Sequence, residues 1–271
     1  MVQCHVCDVG DDSRTASLAT YILNIQKSYP GRNPRNKPVG WSVHQPTLVR
    51  GQTNRIIVFR GSFNPPHVGH LNLLTYAFYH GGQDIRAAII MTASDESLAT
   101  KFTNADETMR LSKKDRQKLW KNDVRLPNWV WVYEDSSDEL KKLTRRLKEN
   151  AYTAGYELEY LRLYGPDGLD LFGGDSTVSM DDRFRSRDSN QVLICDVSRE
   201  AGLQSAELKT LSGFEPWKKL KLDEQALEGE AGAEAENMLA ILRAKAPGEY
   251  DRAVERGGES TSATSLLICG G

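Results

Sequence analysis

Between Arg55 and about residue 203 the apolar residues alternate between two textures. Short continuous runs bounded by turn residues give way to stretches in which apolar positions recur every three or four residues. IIVFR (56–60) predicts a short buried strand, and LNLLTYAFYH (71–80) a helix. DIRAAIIMTA (84–93) reads as a second strand, LSKKDRQKLWKND (111–123) as a helix, WVWVY (129–133) as a strand and SSDELKKLTRRLKENAY (136–152) as a helix. ELEYLRLYG (157–165) and NQVLICDVSR (190–199) supply two more strands. Strands with apolar centres alternating with helices imply a parallel sheet covered on both faces, in which ligands bind at the carboxyl ends of the strands.

The flanks read differently. Within residues 1–50, Leu18, Tyr21, Ile22 and Ile25 follow helical spacing, and YPGRNPRNKPVG then breaks it, so this part is expected to be an N-terminal extension or packing arm. The domain itself is expected over 51–203, with 204–271 a helical, acidic continuation and the end of the domain. There LDEQALEGEAGAEAENMLAILRAKA favours an amphipathic helix near 234–245, ERGGESTSATS is loop-like, and the apolar run LLIC before the final glycines reads as a strand whose following turn is cut off. The acidic lean of 223–259 suits a solvated helix face. No internal repeat is visible.

Composition narrows the classes. With 271 residues, 39% hydrophobic and 27% charged, and a net charge of −2, the chain resembles a folded soluble protein and lacks a global field for nucleic acid. Neither IIVF nor AAIIM is long enough to span a bilayer, and MVQCHVCDVGDD has no basic start followed by an apolar middle, so a cytosolic location is expected, with the nucleus left open. Cys4 and Cys7 form one C-x-x-C while Cys195 and Cys269 stand alone, which assembles neither a disulfide framework nor a four-thiolate zinc site. KKLTRRLK (141–148) follows Asp138 and Glu139 on a helical pattern, the arrangement of a solvated face rather than a phosphate stripe.

The candidate chemistry lies in RGSFNPPHVGHL (60–71). Gly61, directly after the first strand, permits a sharp turn and a close backbone approach to a ligand. Asn64 is expected to cap the following helix, with the prolines in its first turn, where a missing amide costs nothing. His67 and His70, three residues apart, then share one face of that turn, where free amides and the helix dipole favour an anion. Gly69 between them leaves room for a ligand. An H-x-x-H pair is also half of a zinc site, but the local sequence offers no third ligand, and no metal site is expected. Two unrelated surface histidines would explain the pair but not the strand, prolines and glycines around it. A phosphate pocket explains all of them.

GSFNPPHVGH resembles the GxFxPxHxGH signature of the HxGH nucleotidyltransferases, and SFNPPH in particular is similar to nicotinamide mononucleotide adenylyltransferases, since the cytidylyltransferases have aspartate after the phenylalanine. The resemblance implies a Rossmann-like three-layer α/β parallel sheet and transfer of AMP from ATP, with Mg²⁺, to nicotinamide or nicotinate mononucleotide. It implies His67 and His70 as catalytic residues and Gly61, Ser62, Phe63 and Gly69 beside the ATP phosphates. Weaker similarities add Gly165 and Asp167 from LRLYGPDGLDLF and Ser198 and Arg199 from LICDVSREAG, with Arg116 and Lys101 toward the triphosphate and Asn64, Trp129 and Tyr133 toward the acceptor. Read without the resemblance, GPDG is a turn with Asp167 a helix cap, and alternating aromatics in a strand are a core pattern. The family's late I-S-S/T-x-x-R motif is absent from STSATSLLICGG, so either the chain is cut before it or the phosphate site is incomplete. Two alternatives follow: a nucleotide-binding protein without catalysis, and an adenylyl- or cytidylyltransferase with another acceptor. A dehydrogenase lacks support, because no G-x-G-x-x-G follows strand 56–60.

Overall fold

The computed structural model describes residues 14–28, 38, 46–101, 110–165, 191–195, 218–219 and 266–270. In chain order these form β1 (Thr15–Ser17), α1 (Leu18–Lys27), β2 (Thr47–Val49), β3 (Thr53–Gly61), α2 (Val68–His80), β4 (Ile85–Thr92), α3 (Asp95–Lys101), α4 (Lys113–Asn122), β5 (Val130–Tyr133), α5 (Ser137–Thr153), β6 (Glu157–Tyr164), β7 (Gln191–Cys195), β8 (Lys218–Lys219) and β9 (Leu266–Gly270).

Seven strands make one sheet in the order β5-β4-β3-β6-β7-β9-β8, while β1 and β2 pair separately. The pairs from β5 through β7 are all parallel, as the strand–helix alternation implies. β9 then joins β7 in the antiparallel sense and carries β8, so the LLIC run is a strand that extends the parallel sheet. From β3 the chain builds outward to β4 and β5, then returns to lay β6 on the other side of β3. The order therefore reverses between β3 and β6, where an open α/β sheet leaves a crevice at its carboxyl edge.

Alternation along the strands explains the two cores. Ile56, Ala87, Ile89, Trp131, Leu158 and Tyr160 face α1 and α5. Their neighbours Ile57, Phe59, Ala88, Ile90, Val130 and Leu161 face the layer containing α2 and α4. A strand buried on both sides has no polar face to show, hence the continuous apolar runs. α1 places Leu18, Ile22 and Ile25 in the first of these cores, so the described part of residues 1–50 packs directly on the sheet. Ser17, Ser112 and Ser136 cap α1, α4 and α5, each hydroxyl accepting a first-turn amide. α3 has no counterpart in the sequence reading, and the helix expected near 234–245 lies outside the described residues. No helix among the described residues is long and apolar enough to cross a membrane.

Candidate active site

The loop after β3 is shaped by one aromatic ring. Phe63 has φ of 47°, in the left-handed region that costs a non-glycine residue energy, and its ring is 2% exposed. That ring folds back over Gly61, where a Cβ would lie 2.7 Å from Phe63 Cε1 and Cζ. Glycine is required here by the close approach of the ring. The Phe63 ring meets Phe59, His70 and Trp120 edge-on, at centroid distances of 5.0, 5.0 and 5.3 Å. Phe63, expected at the ATP phosphates, is thus the buried support on which the His70 imidazole rests.

The helix begins later than the sequence suggests. His67, in extended conformation, occupies the N-cap of α2, and Val68 is the first helical residue. Pro65 and Pro66 therefore precede the helix, with the Asn64–Pro65 peptide in the cis form. Asn64 does not cap α2: its Oδ1 accepts from the Leu111 amide at 2.9 Å and ties the loop to the segment before α4. Proline compatibility with a first turn does not fix which residue begins it, and the competing Leu111 amide takes the Asn64 side chain.

His67 and His70 come together as their spacing implies. The ring centroids are 3.7 Å apart with planes 31° from parallel. The His70 amide donates to the His67 carbonyl at 3.0 Å, and the His67 amide donates to His70 Nδ1 at 3.3 Å. An Nδ1 that accepts leaves the neutral imidazole's proton on Nε2, so His70 is set as an Nε2–H donor. His67 is exposed and His70 half-buried, with half-buried Gly69 between them. The Val68 and Gly69 amides, in the first turn, have no intrahelical acceptor. Two imidazoles and the positive end of α2 thus face one spot at the carboxyl edge of the sheet, a donor array suited to a phosphate group.

Beneath this spot the loop is fastened by Arg116. The side chain is fully buried. Nη1 donates to the Ser62 carbonyl at 2.6 Å, Nε to the Leu111 carbonyl at 3.0 Å, and Nη2 to Asp95 Oδ1 at 2.7 Å. Every guanidinium nitrogen is engaged, and Arg116, expected toward the triphosphate, here holds Ser62 against α3 and α4. Thr92, aligned with Gly61 across the β3–β4 pair, is fully buried, and its Oγ1 has no hydrogen-bond partner among the described residues.

The two aromatic candidates for the acceptor sit elsewhere. Trp129 precedes β5 at the amino end of the sheet, stacked on Phe78 at 3.7 Å and 6°. Tyr133 ends β5 at the carboxyl edge but is wholly buried in the core under α1 and α5, across the sheet from the histidines. Both side chains pack in the core, the pattern that alternating aromatics in a strand already offered. Gly165 follows β6 and is half-buried, and a Cβ there would lie 3.3 Å from Leu73 Cδ1. Lys101 ends α3, its side chain outside the description, and Asp167, Ser198 and Arg199 lie outside the described residues, as do Cys4 and Cys7.

The sequence reading missed Asp95, Thr92 and Trp120. Trp120 had a signal, since it stands four residues after Arg116 on the same helical pattern. The other two become visible only when β4 lies beside β3. Among the described residues no group of three or more His, Cys, Asp or Glu side chains is placed to hold a metal ion.

The model of the cytidylyltransferase-like family matches residues 58–221, which takes in the histidine loop and more than half of the chain. No curated protein matches the chain.

Proposed function

The chain belongs to the cytidylyltransferase-like family of nucleotidyltransferases, and on that footing we propose that it transfers AMP from ATP to nicotinamide or nicotinate mononucleotide, giving the dinucleotide and pyrophosphate. The observation that carries this reading is the closely apposed His67–His70 pair at the start of α2, at the carboxyl end of the central strand. The wording SFNPPH supports the adenylyl donor and the nucleotide acceptor over a cytidylyl reaction.

In the proposed step an oxygen of the acceptor's phosphate attacks the α-phosphorus of ATP in line. The new oxygen–phosphorus bond forms as the bond from the α-phosphorus to the bridging oxygen breaks, and that oxygen leaves with its electron pair as pyrophosphate. No covalent enzyme intermediate is needed, because positioning and charge stabilisation supply the acceleration. His67, exposed at the N-cap, contacts the bridging and leaving phosphates. His70, its Nε2–H fixed as a donor, meets the charge that grows on the α-phosphoryl oxygens. Phe63, itself packed edge-on against Trp120, backs the His70 ring. Magnesium prefers oxygen ligands and enters as the counter-ion of the triphosphate, as part of the substrate.

Incubating the intact chain with ATP, Mg²⁺ and either mononucleotide, with a parallel CTP arm, and following dinucleotide and pyrophosphate tests the proposal. Dinucleotide from ATP is the expected product. Binding of ATP without product would favour a non-catalytic nucleotide-binding protein, and product from CTP alone would overturn the donor assignment.

A further inference from the structure

Arginines at the two edges of the sheet are treated differently. At the amino edge Arg55 is paired with Asp84 at 2.6 Å and with Glu159 at 3.4 Å. At the carboxyl edge the β3–β6 register sets Val58 beside Arg162 and Phe59 beside Leu163, which brings Arg60 abreast of Tyr164 and diagonal to Arg162. Strand alternation puts Arg60, Arg162 and Tyr164 on the α1–α5 face, just beyond the core residues Tyr160 and Val58. These three side chains therefore flank the β3–β6 crevice on the side of β3 opposite the histidines.

Among the described residues no carboxylate is paired with Arg60. Arg60 is open to solvent and makes no hydrogen bond or ion pair to any described residue. Crowding by surrounding protein, and next the charge of Arg162, holds its pKa below the usual guanidinium value. Burial raises the Tyr164 pKa, against the pull of Arg162, which also hydrogen-bonds the phenol. The acid whose field reaches Arg60 is Asp138, which is itself engaged with Lys141 at 3.4 Å at the start of α5. Two guanidinium groups placed side by side repel each other unless an anion lies between them. Their planar donor forks suit a carboxylate or a phosphate.

We propose that Arg60, with Arg162 and Tyr164, forms an anion subsite that receives a carboxylate or phosphate of the acceptor while the triphosphate occupies the histidine side. This rests on the transferase reading above, and it makes the acceptor a molecule with an anionic group within reach of Arg60.

The test uses the intact chain and the variants Arg60→Gln, Arg60→Lys and Arg60→Gln/Arg162→Gln. Arg60 holds no described partner, so the melting temperatures of its two single variants are expected to stay near wild type, and Arg60→Lys is expected to restore part of the function. In the transfer assay Arg60→Gln is expected to raise the acceptor KM roughly 10-fold or more, with the ATP KM within about twofold, as suits loss of one charge-assisted contact. If the group bound is a carboxylate, the rise is confined to nicotinate mononucleotide; if it is a phosphate, both mononucleotides suffer alike. An unchanged acceptor KM, or an equal rise in the ATP KM, overturns the subsite. Should the chain transfer nothing to either acceptor, the transferase reading fails separately and inorganic phosphate becomes the probe. Its binding, followed calorimetrically, is expected to persist in His67→Ala/His70→Ala and to weaken in the double arginine variant. Loss of all phosphate binding with the histidines would overturn the subsite.

Discussion

At the amino edge of the sheet Asn54 is wholly buried with both ends of its amide in use. Its Oδ1 accepts from the Val49 amide at 2.7 Å, and its Nδ2 donates to the carbonyls of Val49, Gln52 and Glu157 at 3.0 to 3.1 Å. Arg55 beside it is paired with two carboxylates. At the carboxyl edge of the same strand Arg60 has no such partner among the described residues, His67 is exposed, and Phe63 holds a left-handed backbone. A folding unit gains by satisfying its buried polar groups, and Asn54 and Arg55 do so. Charged and imidazole donors left open to solvent at the carboxyl edge, together with local backbone strain, mark where the fold gives up stability for a ligand.

Variants at the two edges should therefore separate activity from stability. The largest effect is expected from His70→Ala, with turnover falling on the order of 10²–10³-fold while ATP affinity changes little, as for a donor used mainly in the transition state. Steady-state kinetics set beside equilibrium ATP binding would read it, and equal losses in both would contradict the role. Arg116→Met should cost about 2–3 kcal/mol in denaturant unfolding, because the Ser62 and Leu111 carbonyls lose a charged donor, and turnover should fall as the loop loosens. Asn54→Ala should cost about 2 kcal/mol of stability yet leave kcat and KM at wild-type values below the melting transition. A kinetic defect there would break the distinction between the edges. Gly61→Ala should cost about 1–2 kcal/mol and lower turnover, because the new methyl displaces the ring that supports His70. His80 gives the smallest effect. Burial lowers its folded pKa, so the unfolded chain takes up a proton first as the pH falls below about 6.5, and stability should decline on acidification through that window. Melting curves from pH 7.5 to 5 should be flatter for His80→Gln than for wild type.

The layers of this fold were legible because each element carries its own periodicity. Ile56–Ile57, Ala87–Thr92, Val130–Tyr133 and Val192–Cys195 are buried on both faces and read as apolar runs, while α4 and α5 announce themselves with serine caps. The histidine pair was legible for the same reason, since an i, i+3 contact is a local fact. What failed to show in sequence was set by distant partners. Asn64 meets Leu111, Arg116 meets Ser62 and Asp95, and Tyr133 turns to the α1–α5 core, each through contacts that strand order alone creates. β9 was visible as an apolar run, but its antiparallel place beside β7 was not, because sequence spacing says nothing about which edge a late strand joins.

The central claim is that the His67–His70 pair and the start of α2 grip a nucleoside triphosphate. Calorimetric titration of ATP with Mg²⁺ into the intact, folded chain tests it most directly. The account predicts saturable binding at one site per chain, weakened about 10-fold or more in His67→Ala/His70→Ala and unchanged in Asn54→Ala. Absence of uptake by the folded wild-type chain, or equal affinity in the double histidine variant, would contradict it.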